Sequence, residues 1–200
     1  MKFLFASDSF KGSLSSRRTA ELLTLAAQEI FPGCECTSVE TADGGEGTTD
    51  AVLSAVNGKK IMLPVHGPLG KMTESSYGIL SDSRVIMEMA SASGLPLVPC
   101  SLRDPRCTSS YGTGEMIADA LDRGCRDISI AIGGSATNDG GTGCMRALGV
   151  RFYDKDGNDL KGCGQDLIKI CTIDTSGIHP LIKDASFTIM CDVTNPLCGG

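Results

Sequence analysis

The sequence predicts a layered α/β fold. Strand, loop and helix alternate twice at the start of the chain, and the same alternation returns after about residue 110. The 200 residues are 41% hydrophobic and 21% charged, which is the balance of a globular rather than a disordered protein. The 25 glycines are grouped in short stretches, which indicates loops whose backbone conformation matters.

The first alternation begins with a short apolar strand at 2–7. A polar loop follows, and then a helix over 16–30, in which Ala20, Leu23 and Ala27 recur at helical spacing. Phe-Pro-Gly ends this helix. The chain therefore opens with one complete strand–loop–helix unit.

The second alternation repeats this order. A strand is predicted at 36–41, and it runs into the glycine-rich stretch 42–47. A helix then covers 48–56 and is ended by Asn57-Gly58, a common C-terminal signal. Two glycine- or serine-rich loops thus join strands to helices in the first sixty residues.

The middle of the chain has a different pattern. Three strand-like segments at 59–66, 72–80 and 84–90 are separated by only a few residues each. Connections this short suit antiparallel strands, because parallel strands need a long crossover. We expect two hairpins here, and the change of composition near residue 60 indicates a domain boundary.

The α/β pattern returns in the last ninety residues. The final strand is followed by a loop but by no helix, so we expect the chain to be a C-terminally truncated piece of a longer protein. The predicted elements are helix 110–122, strand 128–132, loop 133–141, helix 142–148, strand 150–153 and strand 187–193.

Charge and hydropathy exclude several classes of protein. There are 18 Lys and Arg against 24 Asp and Glu, a formal net charge of −6. Without a basic cluster the chain is a poor nucleic-acid binder. No apolar run approaches the ~18 residues of a membrane span, and the apolar start is too short for a signal peptide. We therefore expect a cytoplasmic protein that binds neither nucleic acid nor membrane.

The cysteines and histidines do not predict a zinc centre. The ten cysteines include no C-x-x-C pair, and we interpret them as small buried hydrophobic residues in a reducing cytosol, with a redox role as the alternative. The two histidines, His66 and His179, stand beside Gly-Pro and Pro. We expect both to be structural or surface residues, which disfavours Ser-His-Asp hydrolysis.

Four loops follow predicted strands and are rich in Gly, Ser, Thr, Asn and Asp. They are 7–15, 42–48, 133–142 and 192–197. In α/β sheets, ligands bind outside the carboxyl ends of the strands. A glycine-rich loop that opens a helix offers free N–H groups to phosphate or carboxylate. Plain turn geometry explains each loop taken alone, so the prediction of an anionic ligand depends on all four together.

Acidic residues occur in each of these loops. Carboxylates beside a phosphate-binding backbone usually require a metal ion between them, and Lys11 or Lys71 could neutralise phosphate oxygens. Any one of the acids could instead be a helix cap or a turn anchor. The identity of a general base is left open. The acids concerned are Asp8, Asp43, Glu46, Asp139 and Asp192.

Common catalytic motifs are absent from the sequence. There is no G-x-x-x-x-G-K-[ST] phosphate loop and no clean G-x-G-x-x-G. The stretch 133–137, Gly-Gly-Ser-Ala-Thr, lacks the last glycine of a G-x-S-x-G nucleophile elbow. The chemistry must therefore be sought in the less common loop sequences.

Five segments resemble the signature segments of the bacterial type-1 glycerate kinases. Their order and spacing match from residue 2 to residue 198. The segments are DSFKGSLS at 8–15, ADGGEGT at 42–48, MASASGL at 89–95, IGGSATNDGG at 132–141 and CDVTNPL at 191–197. Residues alone assign no chemical role to 89–95.

The resemblance implies a reaction and its cofactors. The γ-phosphoryl group of ATP would pass to D-glycerate, most often at the 2-hydroxyl, giving 2-phosphoglycerate. Mg²⁺ and a cytoplasmic location are implied as well. Members of the family are close to twice this length, so the alternative is a catalytically incomplete fragment that acts only as an anion-binding module. The oligomeric state is open, and a homo-oligomer is one option.

The resemblance also implies a domain arrangement. A Rossmann- or flavodoxin-like three-layer domain would carry a second α/β domain inserted in it. Residues 1–62 would be the first segment of the flavodoxin-like domain. Residues 63–200 would be the inserted domain, incomplete at its C-terminal end.

The same resemblance assigns candidate roles to residues of these loops. Lys11, Asp43 and Asp192 are the expected catalytic residues, and Asp43 and Asp192 are the expected Mg²⁺ ligands. The expected substrate- and phosphate-binding residues are Asp8, Ser9, Gly44, Gly45, Glu46, Gly47, Thr48, Gly133, Gly134, Ser135, Thr137, Asn138, Asp139 and Asn195.

Overall fold

The computed structural model describes residues 1–10, 12–41, 44–191 and 193–194. It shows a mixed α/β fold. The strands and α-helices in chain order are β1 Lys2–Phe5, α1 Ser16–Ile30, β2 Glu35–Ser38, α2 Thr48–Ala55, β3 Gly58–His66, β4 Met72–Leu80, β5 Arg84–Glu88, α3 Met89–Ser93, α4 Tyr111–Asp122, β6 Asp127–Ala131, α5 Thr142–Ala147, β7 Arg151–Tyr153, β8 Thr172–Asp174 and β9 Ser186–Met190.

The largest sheet has five strands in the order β3-β4-β5-β6-β9. The strand β4 pairs antiparallel with β3 on one side and with β5 on the other, as the short connections predicted. The strands β5, β6 and β9 are parallel. A separate two-stranded parallel sheet pairs β1 with β2, and β7 pairs with β8. The mixed α/β class expected from the sequence is therefore confirmed.

The main core lies between the five-stranded sheet and α4. Tyr77, Met87 and Ile128 on the sheet are buried, as are Met116 and Leu121 on the helix. Side chains of this kind give about 1.5–3 kcal/mol each when they leave water.

Two glycines allow the helix α4 to pack closely. A Cβ on Gly112 would lie 2.0 Å from the carbonyl oxygen of His66, and one on Gly114 would lie 2.2 Å from that of Cys144. A side chain at either position would push α4 away from β3 or α5. The sequence Gly-x-Gly in this helix therefore serves packing rather than flexibility.

Most predicted elements agree with the structure to within a residue or two. The helix at 16–30 has the predicted ends, and Ser15 caps it by accepting a hydrogen bond from the N–H of Arg18 at 3.1 Å. The strand predicted over 84–90 was too long, because the chain turns into α3 at Met89. The short strand β8 was not predicted.

The predicted domain boundary at 62/63 lies within β3. Since β3 is continuous from Gly58 to His66, any change of domain falls before or after this strand. The division into two domains stays a prediction. No helix of the described residues is long and apolar enough to cross a membrane.

The interpretation of the cysteines as small buried residues was mostly wrong. Among the nine described cysteines, only Cys125 and Cys163 are buried. Three others are half-buried and four are exposed. The histidines agree better with expectation: His66 contacts Glu115 at 2.8 Å and His179 contacts Asp122 at 3.1 Å.

Candidate active site

A cleft of about 830 Å³ lies between the first loop of the chain and the N-terminal half of α2. Residues of the loop before α1, such as Ser9 and Ser13, line one side. Glu46, Gly47 and Thr49 line the other side, and residues of β3, β4 and β5 complete the wall. The volume is in the range of small-molecule sites.

Ser16 holds the first loop against the end of β2. Its hydroxyl donates to the carbonyl oxygen of Ser7 at 2.6 Å and accepts from the N–H of Thr41 at 3.3 Å. Within the loop, Phe10 and Leu14 are joined by a 2.8 Å backbone hydrogen bond. The loop after β1 and the segment after β2 thus form one continuous side of the cleft.

Glu88 closes the N-terminus of α2. Its carboxylate accepts hydrogen bonds from the N–H groups of Gly47 at 3.1 Å and Thr49 at 2.6 Å, and the residue is only 8% exposed. Gly47 adopts a left-handed conformation at φ 91°, which glycine takes without strain. The carboxylate of Glu88 therefore occupies the N-terminus of α2, where the glycine-rich loop had predicted a ligand anion.

Glu88 was missed by reasoning from sequence. It ends β5, whose sequence Arg-Val-Ile-Met-Glu is otherwise apolar after its first residue. An acid at the end of a buried strand was the available signal, because a buried carboxylate requires hydrogen-bond donors.

The glycine-rich loop at 44–47 contacts the loop after β6. The N–H of Gly133 donates to the carbonyl oxygen of Gly44 at 3.0 Å. A Cβ on Gly133 would lie 2.8 Å from the Cα of Gly45. The structure thus brings two of the predicted site loops into direct backbone contact.

The segment at 89–95, which had no chemical role in the sequence analysis, supports the loop after β6. The N–H of Leu95 donates to the oxygen of Gly134, and that of Ala136 donates to the oxygen of Ser93, both at 2.9 Å. Ser135 and Thr137 hydrogen-bond to each other through their hydroxyls at 2.9 Å. These contacts hold the loop in one conformation.

Asp139 is a buried anchor of this region. At 2% exposed, its carboxylate accepts from the N–H and hydroxyl of Ser110, at 2.7 and 2.8 Å. It also accepts from the N–H groups of Gly141 at 3.0 Å and Gly143 at 3.3 Å. The carboxylate therefore joins the starts of α4 and α5, which is the turn-anchor alternative of the sequence analysis.

Among the described residues of the cleft there are two cations, and each is paired with an acid. Lys60 Nζ lies 2.6 Å from Asp50 and Arg17 Nε lies 2.9 Å from Glu40. The hydrogen bond and charge of Glu40 raise the pKa of Arg17, which stays protonated. Lys60 was not among the predicted site residues. Its position on β3 gave no sequence signal, because strand lysines are usually solvent-exposed.

Thr49 carries an unsatisfied polar atom in the wall of the cleft. Its hydroxyl oxygen is buried and has no hydrogen-bond partner within the residues that the structure describes. Buried hydroxyls are nearly always hydrogen-bonded. The Thr49 hydroxyl is therefore an exception among the described residues, and it lies behind the surface of the cleft.

Apart from Gly133, Gly134, Ser135, Thr137 and Asp139, whose positions are given above, the predicted site residues divide into four groups. Ser9, Glu46 and Gly47 line the cleft. Asp8 and Asn138 are exposed, and Asp8 accepts a hydrogen bond from the N–H of Ser9 at 2.7 Å. Gly44, Gly45 and Thr48 support the loop beside the cleft; Thr48 donates its hydroxyl to the oxygen of Gly45 at 2.9 Å. The residues outside the described part of the chain are Lys11, Asp43, Asp192 and Asn195.

The expected Mg²⁺ ligands fall in that last group. Among the described residues, no group of three or more His, Cys, Asp and Glu could hold a metal ion. Asp43 and Asp192 lie outside those residues, so the Mg²⁺ site stays a prediction.

Comparison with known proteins identifies relatives of the whole chain. The model of the glycerate kinase family matches residues 3–200. Glycerate 2-kinase of Escherichia coli K12 is 47% identical over 200 residues, which is 100% of this chain and 52% of that protein. Glycerate kinase of Bacillus subtilis 168 is 44% identical over the same length and is also covered to 52%.

A solved crystal structure also matches this chain. The matching chain, from Salmonella typhimurium LT2 and designated a glycerate kinase 2, superposes with a TM-score of 0.80 at 44% identity. The match covers 98% of this chain and 53% of that one. The chain thus spans about half the length of the curated relatives it matches.

Proposed function

The chain belongs to the glycerate kinase family, and we propose that it provides the cleft in which ATP phosphorylates D-glycerate at the 2-hydroxyl, giving 2-phosphoglycerate. The observation that carries this proposal is the cleft itself, which Lys60 and Arg17 line among the described residues. The position of phosphorylation follows the name of the Escherichia coli relative.

The described lining of the cleft holds two cations, Lys60 and Arg17, and four carboxylates, those of Glu40, Glu46, Asp50 and Glu88. An anionic substrate would therefore need a bound cation such as Mg²⁺ in addition to the two side chains. Glycerate carries a carboxylate and ATP carries a triphosphate, and Lys60 and Arg17 present the two cationic groups of the described lining. Phosphoryl transfer depends mainly on positioning and on neutralising charge. Lys60 and Arg17 would exchange part of their pairing with Asp50 and Glu40 for the ligand.

The volume of the cleft would admit a ligand of the size of ATP, and Mg²⁺ is proposed from the chemistry of the acidic residues. A cleft of about 830 Å³ is within the usual range for small-molecule ligands, and Mg²⁺ is usually held by one or two carboxylates together with substrate phosphates. Asp43 and Asp192 remain the proposed ligands, and Glu46 is an exposed carboxylate on the cleft. When bound, the ion would neutralise charge on the phosphates.

The proposed catalytic roles stay with the residues that the family resemblance indicated. Lys11 would neutralise the transferred phosphate, and Asp43 or Asp192 would act as general base. Asp139 is a weaker candidate, because its carboxylate already accepts four hydrogen bonds from protein groups. The contact between Gly133 and Gly44 supports the proposal that two parts of the chain face each other at the site.

The wider setting is proposed on the same basis. A reaction that consumes ATP and a small hydroxy acid belongs to the cytoplasm, where both are available. A homo-oligomer is compatible with the fold but is not needed for the cleft, which a single chain forms. The second candidate function, an anion-binding module without catalysis, rests on the coverage of only about half of each relative.

The test is phosphoryl transfer with identified product. ADP formation is measured with ATP, Mg²⁺ and D-glycerate, and the product is examined by phosphorus NMR coupling to locate the ester. The chain is assayed alone and joined to the half of the Bacillus subtilis relative that it does not match. D-Glycerate-dependent ADP and a 2-phosphate ester support the proposal, and L-glycerate is the matched control. Binding of ATP without turnover in either form would favour the anion-binding module.

A further inference from the structure

Two cysteine thiols lie in contact at the start of β2. The sulfur atoms of Cys34 and Cys36 are 3.6 Å apart, and both residues are half-buried. We propose that Cys34 and Cys36 form a redox-sensitive dithiol, which a low-molecular-weight disulfide converts into an intrachain disulfide. This modification site is independent of the proposed phosphoryl transfer.

The backbone places both thiols on one face of the chain. Residues two apart in a strand point to the same side and lie ~6.6 Å apart, which is near the upper limit of ~6.8 Å for the Cα atoms of a disulfide. The N–H of Cys34 donates to the carbonyl oxygen of Phe31 at 3.1 Å, and Cys36 pairs with Phe3 of β1. To form a bond, the sulfur atoms must approach from 3.6 Å to about 2.05 Å.

The other described cysteines have no comparable partner. No second contact between two thiols occurs in the described ranges, and Cys125 and Cys163 are buried where burial raises their pKa. Burial also raises the pKa of Cys144, to about 12. Cys171 is exposed. An exposed thiol without a partner is expected to stop at a mixed disulfide, whereas Cys34 and Cys36 can proceed to an internal one.

The exchange has two balanced steps. The Cys34 thiolate attacks one sulfur of the external disulfide, and the other sulfur leaves as a thiolate that takes up a proton. Cys36 then loses its proton and attacks the sulfur of Cys34, which releases the second external thiol. Two protein thiols are oxidised and one external disulfide is reduced to two thiols.

The experiment uses oxidised glutathione and peptide mass spectrometry. Trypsin cleaves after Arg18 and Lys59, so one peptide, 19–59, contains Cys34 and Cys36 and no other cysteine. The peptide 170–183 contains only Cys171 and is the internal control. The folded chain is treated with excess oxidised glutathione, blocked with iodoacetamide and digested without reduction.

The expected result is that peptide 19–59 is unalkylated and two hydrogens lighter, while peptide 170–183 carries glutathione. In the Cys36→Ser variant, Cys34 should instead retain a glutathione adduct. Glutathione on both cysteines of the wild-type peptide would overturn the proposal. Full alkylation of that peptide under conditions that modify Cys171 would overturn it as well.

Discussion

Glu88 and Thr49 are joined by a 2.6 Å hydrogen bond from the backbone N–H of Thr49 to the carboxylate of Glu88. The contact links the end of β5 to the first turn of α2, thirty-nine residues earlier in the chain. Because the same carboxylate accepts from Gly47, Glu88 fixes the side of the cleft that the glycine-rich loop forms. A buried acid thereby couples the five-stranded sheet to the candidate site.

Substituting this acid should loosen the cleft. Glu88→Gln keeps the shape but presents an amide NH₂ toward one of two N–H donors, so a buried donor loses its acceptor. We expect the free energy of unfolding to fall by about 1–3 kcal/mol, measured by urea denaturation. Glu74→Gln is the control, because Glu74 is exposed on β4. Equal stability of the two variants would contradict the role given to Glu88.

Asp139→Asn tests the anchor between α4 and α5. The amide can replace only one oxygen as an acceptor, while four hydrogen bonds converge on the carboxylate. A loss of about 2 kcal/mol in unfolding free energy is expected. Asp156→Asn, at an exposed turn, should be neutral within the error of a urea titration. An Asp139 variant as stable as the Asp156 variant would leave the anchor role unsupported.

Gly133→Ala should separate the two glycine-rich loops. The added Cβ would lie 2.8 Å from the Cα of Gly45 and 2.9 Å from the oxygen of Gly44, and both contacts are with backbone. We expect faster hydrogen exchange in the loop at 44–47, measured by mass spectrometry, because the loop must shift to relieve the clash. Ala131→Gly on β6 is a control for altered backbone freedom nearby. Unchanged exchange in Gly133→Ala would show that the loops are not in the contact described.

The buried phenol of Tyr77 should make the stability of the fold fall at high pH. Burial, together with the hydrogen bond and negative charge of Asp119, raises the pKa of Tyr77. Below the ordinary phenol pKa of about 10, the phenol is neutral in both states and its contribution is fully present. Above that pH the unfolded chain ionises first, so stability is lost as pH rises.

The measurement compares the slope of unfolding free energy against pH above pH 10. Tyr77→Phe should have a shallower slope than the wild type, because it lacks the group that ionises only in the unfolded chain. Parallel slopes for the wild type and Tyr77→Phe would contradict the coupling to Asp119.

The order of elements was predictable because its signals are local. Helical spacing with Ser15 as a cap defined α1, and the short connections defined the antiparallel strands β3 to β5. The start of α3 at Met89 was not predictable from the sequence, because the five residues of this helix carry no periodic signal and are held by tertiary contacts. Local sequence patterns therefore predict well which helices and strands exist, but they predict poorly where buried strands end.

Only some of the residues that line the cleft were predictable from the sequence. The family resemblance indicated Ser9, Glu46 and Gly47, which do line the cleft. It could not tell a carboxylate that faces a ligand from one that holds the protein together, as Asp139 does. Glu88 and Lys60 reach the cleft from strands that are distant in sequence, and only the fold of the chain brings them there.

Binding of ATP to two lysine variants of β3 tests most directly whether this cleft is the substrate site. Lys60 lines the cleft, whereas its neighbour Lys59 lies on the opposite face of the strand, beside Arg123. If the cleft receives the anionic substrates, Lys60→Met should weaken ATP binding about tenfold or more, measured by calorimetry. A loss of this size corresponds to one charged hydrogen bond. The control variant Lys59→Met should bind ATP with the wild-type affinity. Wild-type affinity in Lys60→Met, or equal losses in both variants, would contradict the assignment of this cleft as the substrate site.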